Sequence, residues 1–128
     1  MKTANDRKYA KTDEWVKVEG MAGTIGISDY AQDQLSDIVY VEFMKEPGEQ
    51  IKKGEVFATI ESVKAAADMN APVSGTVNKV NEALIASPEL LNSDPFGAAW
   101  MGVIDMTDAS ELDDLMSSGD YETYCESR

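Results

Sequence analysis

Two predicted strands and a short connection occupy residues 55–77, EVFATIESVKAAADMNAPVSGTV, and this stretch decides the fold. Residues 55–61 alternate apolar and polar side chains, which is the period of a half-buried strand. Phe57 falls on the face opposite the other apolar residues, so it must pack against another part of the chain or be exposed. A second apolar stretch, residues 69–80, contains Pro and Gly, which favour an edge or a bend. The pattern predicts a hairpin that lifts the amine of Lys64 into solvent.

The segments before this hairpin also carry strand patterns separated by turn residues. Residues 15–27 predict a β-hairpin that turns at Gly20, and residues 38–43 predict another strand because they are β-branched and aromatic. Ser28 supplies a hydroxyl N-cap before residues 29–35, which predict a helix of about two turns.

The C-terminal part predicts one more strand and then helix. Residues 88–95 predict a turn-rich connection, and residues 99–106 predict a strand. Residues 108–124 predict a C-terminal helical segment, within which Ser110 and Asp113 have a spacing like that of a capping box. We expect residues 1–128 to form one mainly β domain, a small sandwich or barrel with short helices, in which the hairpin spans about residues 55–80.

Composition excludes several classes of function. The 24 acidic and 11 basic residues give a formal charge of −13, so nucleic acid and anionic membranes are not expected partners. The chain has no histidine and no cysteine cluster, so the usual general bases, triads and metal sites are missing. No apolar run long enough to span a bilayer and no secretory signal is visible. The single cysteine, Cys125, is expected to be a frayed, unimportant thiol.

Lys64 is the residue in the hairpin with useful chemistry. Three alanines follow it, so another protein's active site can close over its amine without steric conflict. A deprotonated lysine amine is a nucleophile that forms an amide with an activated acid, which arginine cannot do. A surface lysine is most often only solvated, so the surrounding pattern has to carry the functional interpretation.

That pattern resembles the lipoyl-lysine hairpin of the glycine cleavage H-protein family. The matching residues are 61–65, ESVKA, followed by 71–77, APVSGTV. Biotin carriers place methionines on both sides of their lysine, and lipoyl domains of 2-oxoacid dehydrogenases typically have Asp before theirs, whereas Val63 and Ala65 flank Lys64 here. The resemblance covers roughly residues 8–121. The family commonly has histidine immediately before the Glu-Trp pair, whereas this chain has Asp13.

The resemblance implies the flattened barrel-sandwich fold of lipoyl and biotinyl carriers, and a carrier with no catalytic residue of its own. Lipoate would be attached covalently to Lys64, with no other cofactor and no metal. The lipoyl group accepts an aminomethyl group at glycine decarboxylase (P protein), delivers it at the aminomethyltransferase (T protein) and passes electrons to dihydrolipoyl dehydrogenase (L protein). A lipoylating enzyme is the fourth expected partner, and the carrier is expected to be a monomer.

The resemblance also assigns supporting residues. Glu14 and Asp68 match acidic positions near the aminomethyl cation, with Thr12 as a further candidate in the same cleft, and Glu61 matches a position that would help the lipoylating enzyme select Lys64. Solvated surface charge is the alternative for each carboxylate. An H-like relay that supplies lipoyl groups to other enzymes would show the same lysine motif. We expect a cytoplasmic location, or the mitochondrial matrix for a mature eukaryotic chain.

Overall fold

The computed structural model describes all residues, 1–128, and contains nine strands in two antiparallel sheets. The strands are β1 Lys8–Tyr9, β2 Glu14–Glu19, β3 Ala22–Ile27, β4 Ile38–Phe43, β5 Gln50–Ile51, β6 Val56–Ser62, β7 Ala66–Asn70, β8 Gly75–Val80 and β9 Gly102–Met106. The larger sheet has the order β1-β2-β3-β9-β8-β5, and the smaller has the order β4-β6-β7. The predicted mainly β sandwich-like fold is confirmed.

Short helices connect and close the sheets. They are α1 Asp29–Leu35, α2 Ala83–Ala86, α3 Leu90–Ser93, a 3₁₀ helix Ala109–Asp114 and α4 Ser118–Glu126. The predicted N-cap of α1 is confirmed, because the Ser28 hydroxyl accepts a hydrogen bond from the Ala31 N–H at 3.1 Å. None of the helices has the length and hydrophobicity that crossing a bilayer requires.

The predicted alternation along residues 55–61 is wrong at Phe57. Val56 pairs with Asn70 and Ala58 pairs with Met69, so Phe57 is an extra residue that interrupts the register between β6 and β7. The Phe57 side chain is therefore fully buried, whereas Val56 is only half-buried. A β-bulge redirects side chains in this way because one strand carries two residues against one on its partner.

Residues 69–80 do not form one strand. β7 belongs to the smaller sheet and β8 to the larger, and the chain crosses between them at the predicted bend. Gly75 is the first residue of β8. A Cβ atom added at this position would lie 2.0 Å from the carbonyl oxygen of Asp105. The glycine is therefore required for close approach of β8 to β9.

Three further expectations in the C-terminal half are corrected. The connection at 88–95 contains α3. The N-cap of the 3₁₀ helix is Asp108 and not Ser110, because the Asp108 carboxylate accepts a hydrogen bond from the Ser110 N–H at 3.0 Å. The C-terminal segment divides into this 3₁₀ helix and α4, because a break separates them at residues 115–117. Cys125 is buried in α4 and is not frayed.

Two hydrophobic clusters stabilise the fold. The larger contains 19 buried residues contributed by both sheets and by the short helices. The smaller contains Tyr9, Trp15, Tyr121 and Cys125, and it attaches α4 to the start of the larger sheet. The Tyr9 and Tyr121 rings stack with centroids 4.6 Å apart. This second cluster places the C-terminal helix beside the loop that leads into β2.

Candidate functional site

Lys64 lies at the exposed tip of the hairpin between β6 and β7. The Ser62 hydroxyl accepts from the backbone N–H of Ala65 at 3.0 Å, and the Ser62 N–H donates to the Ala65 carbonyl at 2.7 Å. These bonds fix the backbone of the tip. None of the salt bridges of the structure involves Lys64. The tip is therefore ordered by its backbone while the lysine side chain extends into solvent.

An acidic cleft of about 170 Å³ opens beside the same hairpin. Thr12, Glu14 and Asp68, the three residues predicted for an arm-binding cleft, all line it. The rest of its wall is mostly apolar and includes Ile27, Ala31, Leu35, Ile60, Ala67 and Met69. The structure thus brings together side chains from the loop before β2, from the start of β2, from α1 and from β7.

Glu14 is the buried carboxylate of this cleft, with 2% of its surface exposed. One of its oxygens accepts from the Thr12 hydroxyl, and the other accepts from the Asn70 N–H at 3.2 Å. Burial raises the pKa of Glu14 to about 7, because desolvation disfavours the carboxylate more than the two hydrogen bonds favour it. Near neutral pH this side chain is divided between its acid and its carboxylate forms.

Asp68 and Glu61 differ from Glu14 in exposure. Both side chains are exposed, Asp68 at the edge of the cleft and Glu61 near the end of β6. Glu61 pairs with Ala66 on one side and with Tyr40 on the other, so it is close to Lys64 but does not line the cleft. The roles assigned to these two carboxylates stay predictions.

Asp13 has contacts that sequence patterns did not predict. Its carboxylate accepts from the Tyr121 hydroxyl at 2.7 Å and from the Arg128 guanidinium at 3.0 Å. The Ser28 hydroxyl lies 2.7 Å from the Tyr121 hydroxyl, which connects the N-cap of α1 to the same network. The Arg128 guanidinium also lies 4.3 Å from the centre of the Tyr30 ring. Asp13 thus attaches the C-terminal helix to the cleft.

The geometry is compatible with a lipoyl group on Lys64. Lysine plus lipoyl extends roughly 12 to 15 Å at ordinary bond lengths. Asp68 is four residues from Lys64 along the hairpin, and four residues of extended chain span about 13 Å. The cleft that Asp68 borders is therefore within reach of an arm that starts at Lys64.

Comparison with known proteins identifies the family of this chain. A family described as "Glycine cleavage H-protein" matches residues 7–128. The glycine cleavage system H protein of Clostridium botulinum is 52% identical over 98% of this chain and 95% of its own length, and that of Thermotoga maritima is 50% identical over 93% and 95%. The mitochondrial H protein 2 of Arabidopsis thaliana is 47% identical over 94% of this chain and 77% of its own.

A solved structure gives the same result for the fold. The crystal structure of a glycine cleavage system H protein from Mycobacterium marinum superposes with a TM-score of 0.88 and is 29% identical. The match covers 97% of this chain and 99% of that one. Because similarity in sequence and in structure extends over nearly all of its length, the chain belongs to the glycine cleavage H-protein family.

Proposed function

We propose that this chain is the lipoyl-bearing shuttle of a glycine cleavage system and that Lys64 is its attachment site. The observation that carries the proposal is the position of Lys64, exposed on an ordered tip within an arm's length of an acidic cleft. The lipoyl group, when attached, supplies the sulfur chemistry that carries an aminomethyl group and then electrons. The protein's own residues supply attachment, placement and protection.

Attachment requires an accessible amine. The Nζ of Lys64 attacks the carbonyl carbon of an activated lipoate, such as an acyl adenylate, and a C–N bond forms. The bond to the activating group breaks, that group leaves with the electron pair, and the amine loses one proton. Ala65 and Ala66 beside the lysine are exposed and small, which leaves room for the lipoylating enzyme. Glu61 is the side chain we assign to recognition by that enzyme.

Protection of the loaded arm is assigned to the acidic cleft. An aminomethyl group bears a positive charge when protonated, and a carboxylate within a few ångströms stabilises such a charge more strongly in a low-dielectric site than in water. Glu14 is buried and Asp68 lies at the rim, while the Thr12 hydroxyl donates to Glu14. A bound cation favours the ionised form of Glu14, so loading of the cleft and loss of the Glu14 proton are coupled.

The remaining parts of the proposal concern partners and location. The chain acts as a non-catalytic, monomeric component that presents its arm in turn to glycine decarboxylase, the aminomethyltransferase and dihydrolipoyl dehydrogenase. We propose a cytoplasmic location, with the mitochondrial matrix as the alternative.

The test is a comparison of Lys64→Arg with the matched variant Lys52→Arg, which changes an exposed lysine outside the hairpin. The chain is incubated with a lipoylating enzyme and activated lipoate, and its intact mass is measured. We expect wild type and Lys52→Arg to gain one lipoyl group and Lys64→Arg to gain none. The lipoylated chain is then added to the P, T and L proteins. Glycine-dependent release of CO₂ supports the shuttle, whereas lipoylation without such release favours the lipoyl relay.

A further inference from the structure

An exposed apolar surface lies next to the Lys64 hairpin, on the outer face of β4. Ile38 pairs with Ser62 and Tyr40 pairs with Glu61, so Val39 is an extra residue in β4. Strand residues normally alternate between core and solvent, but here two consecutive apolar side chains are exposed, Val39 by 54% and Tyr40 by 46%. The irregular register explains this pattern, since a bulge redirects side chains and is common next to functional sites.

The same surface continues on to the hairpin tip. The Val63 N–H donates to the carbonyl of Asp37 at 3.0 Å, which attaches the tip to the chain just before β4. Val63 is 67% exposed and directly precedes Lys64. On its other side, Tyr40 shares a groove of about 470 Å³ with Ile85, which is 58% exposed. Apolar side chains grouped in this way mark an interaction site more often than isolated ones do.

The charges around this surface are almost all negative. The exposed carboxylates next to it are Asp37, Glu42, Glu46, Glu61 and Glu82. Lys45 also lines the groove, but it forms a salt bridge with Glu55 at 2.9 Å. A partner that fits such a surface has an apolar centre and basic side chains at its edge, since complementary charge steers association.

The position of the surface indicates which enzyme binds it. Forming an amide at Lys64 requires the Nζ atom itself to enter an active site, so that enzyme must cover the hairpin tip and the side chains beside it. Enzymes that act on the loaded arm reach their target roughly 12 to 15 Å from the lysine backbone. They can work without covering β4. Val63 and the bulge in β4 therefore lie within the contact area that the attaching enzyme needs.

We propose that Val39, Tyr40 and Val63 form a docking face for the enzyme that joins lipoate to Lys64, and that this enzyme presents an apolar patch edged by basic side chains. The inference rests on the proposed function, because it presupposes that Lys64 is modified. It adds a recognition surface on a neighbouring strand to the single residue, Glu61, that the hairpin motif suggests.

The test compares the double variant Val39→Ser, Tyr40→Ser with Met21→Ser, which removes a 50% exposed methionine at the turn between β2 and β3. The rate of enzymatic lipoylation is measured by intact mass at several carrier concentrations. We expect kcat/KM to fall about tenfold or more for the double variant, as for loss of an interface hot spot, and less than about twofold for Met21→Ser. Val63→Ser should also lower kcat/KM, and added salt should lower kcat/KM for the wild type.

Two readouts separate docking from damage to the hairpin. Acetylation of Lys64 by a small activated ester, located by peptide mass analysis, should proceed at the same rate in all variants, because the amine itself is unchanged. Thermal unfolding should also stay close to wild type. If acetylation is slower in the double variant, its lower lipoylation rate comes from a change at Lys64 itself, and the docking face is overturned.

The outcomes distinguish the inference from the proposed function. A wild-type chain that gains no lipoyl group overturns both. A wild-type chain that is lipoylated at the same rate as the double variant overturns the docking face alone. If that variant is lipoylated normally but fails to support glycine decarboxylation, the face belongs to an enzyme acting on the loaded arm, and the assignment made here is wrong.

Discussion

Replacement of Glu14 by glutamine should make the protein more stable at pH 8 but not at pH 4.5. The carboxylate is buried, and its two oxygens accept from the Thr12 hydroxyl and from the Asn70 N–H. Glutamine has nearly the same shape. Its oxygen can accept from Asn70 while its amide donates to the Thr12 oxygen, so both hydrogen bonds can be kept. The substitution therefore removes the charge with little other change.

The size and the sign of the effect follow from the pKa of Glu14. Burial raises this pKa to about 7, against an ordinary value of 4.5. Between these values the folded state holds a proton that the unfolded state has released, so the free energy of unfolding falls as the pH rises, and it stays lower above pH 7. At about 1.4 kcal/mol for each pH unit, the full cost is about 3 kcal/mol. Glu14→Gln should recover most of that at pH 8.

The assay is urea unfolding of both proteins between pH 4.5 and 8, with Asp68→Asn as the control carboxylate at the exposed rim of the same cleft. The absence of histidine leaves this pH window free of the usual titrating side chain. A difference between Glu14→Gln and wild type that is the same at every pH would refute the reasoning. On loaded carrier, charge loss at Glu14 should also shorten the lifetime of bound aminomethyl, and an unchanged lifetime would contradict its protective role.

Two further predictions concern the structure around the site. Asp13→Asn and Arg128→Met should be coupled by about 1 kcal/mol in a double-mutant cycle of urea unfolding, because the side chains form a charge-assisted pair, and additive effects would contradict this. Gly75→Ala should destabilise the protein by about 4 kcal/mol or prevent folding, since its Cβ would meet the Asp105 carbonyl. Gly119→Ala, with no atom within 4 Å of its Cβ, should instead raise the melting temperature slightly, and equal effects would contradict the steric argument.

Strand positions were predictable from local patterns, but the bulges were not. Alternation and turn residues correctly predicted β2, β3, β4 and β6, because those signals depend on neighbours in sequence. Phe57 is buried and Val39 is exposed because each is an extra residue with no partner on the neighbouring strand. One extra residue changes the face of a side chain, and only the paired strand reveals it.

The helices α2 and α3 were the other feature that sequence patterns missed. α2 and α3 have four residues each, which is too short for a helical period to be visible. Their stability comes from packing, since Leu84 and Leu91 are fully buried in the main core. α4 falls largely within the predicted C-terminal helical segment, but only Tyr121 and Cys125 of its residues are buried, so apolar periodicity did not indicate where it begins.

Part of the site can be predicted from residues that are neighbours in sequence, and part depends on residues that are far apart in sequence. Lys64 is visible from the sequence because the hairpin, its small neighbours and the surrounding motif are contiguous. Thr12 and Glu14 needed a family resemblance to be placed near Asp68, which is 54 residues further along the chain than Glu14. No pattern could connect Asp13 with Arg128, which are 115 residues apart.

The Asp13 network has a consequence for the neighbouring cleft. Asp13 directly precedes Glu14, and its negative charge adds to burial in raising the pKa of Glu14. Arg128 forms an ion pair with the Asp13 carboxylate, and the Tyr121 hydroxyl donates a hydrogen bond to it. Burial raises the pKa of Tyr121, so this phenol stays protonated and remains a donor. Tyr121 of the C-terminal helix and Arg128 just beyond it therefore hold the Asp13 charge beside Glu14, where it favours the protonated form of Glu14, and a cation that enters the cleft would oppose this effect.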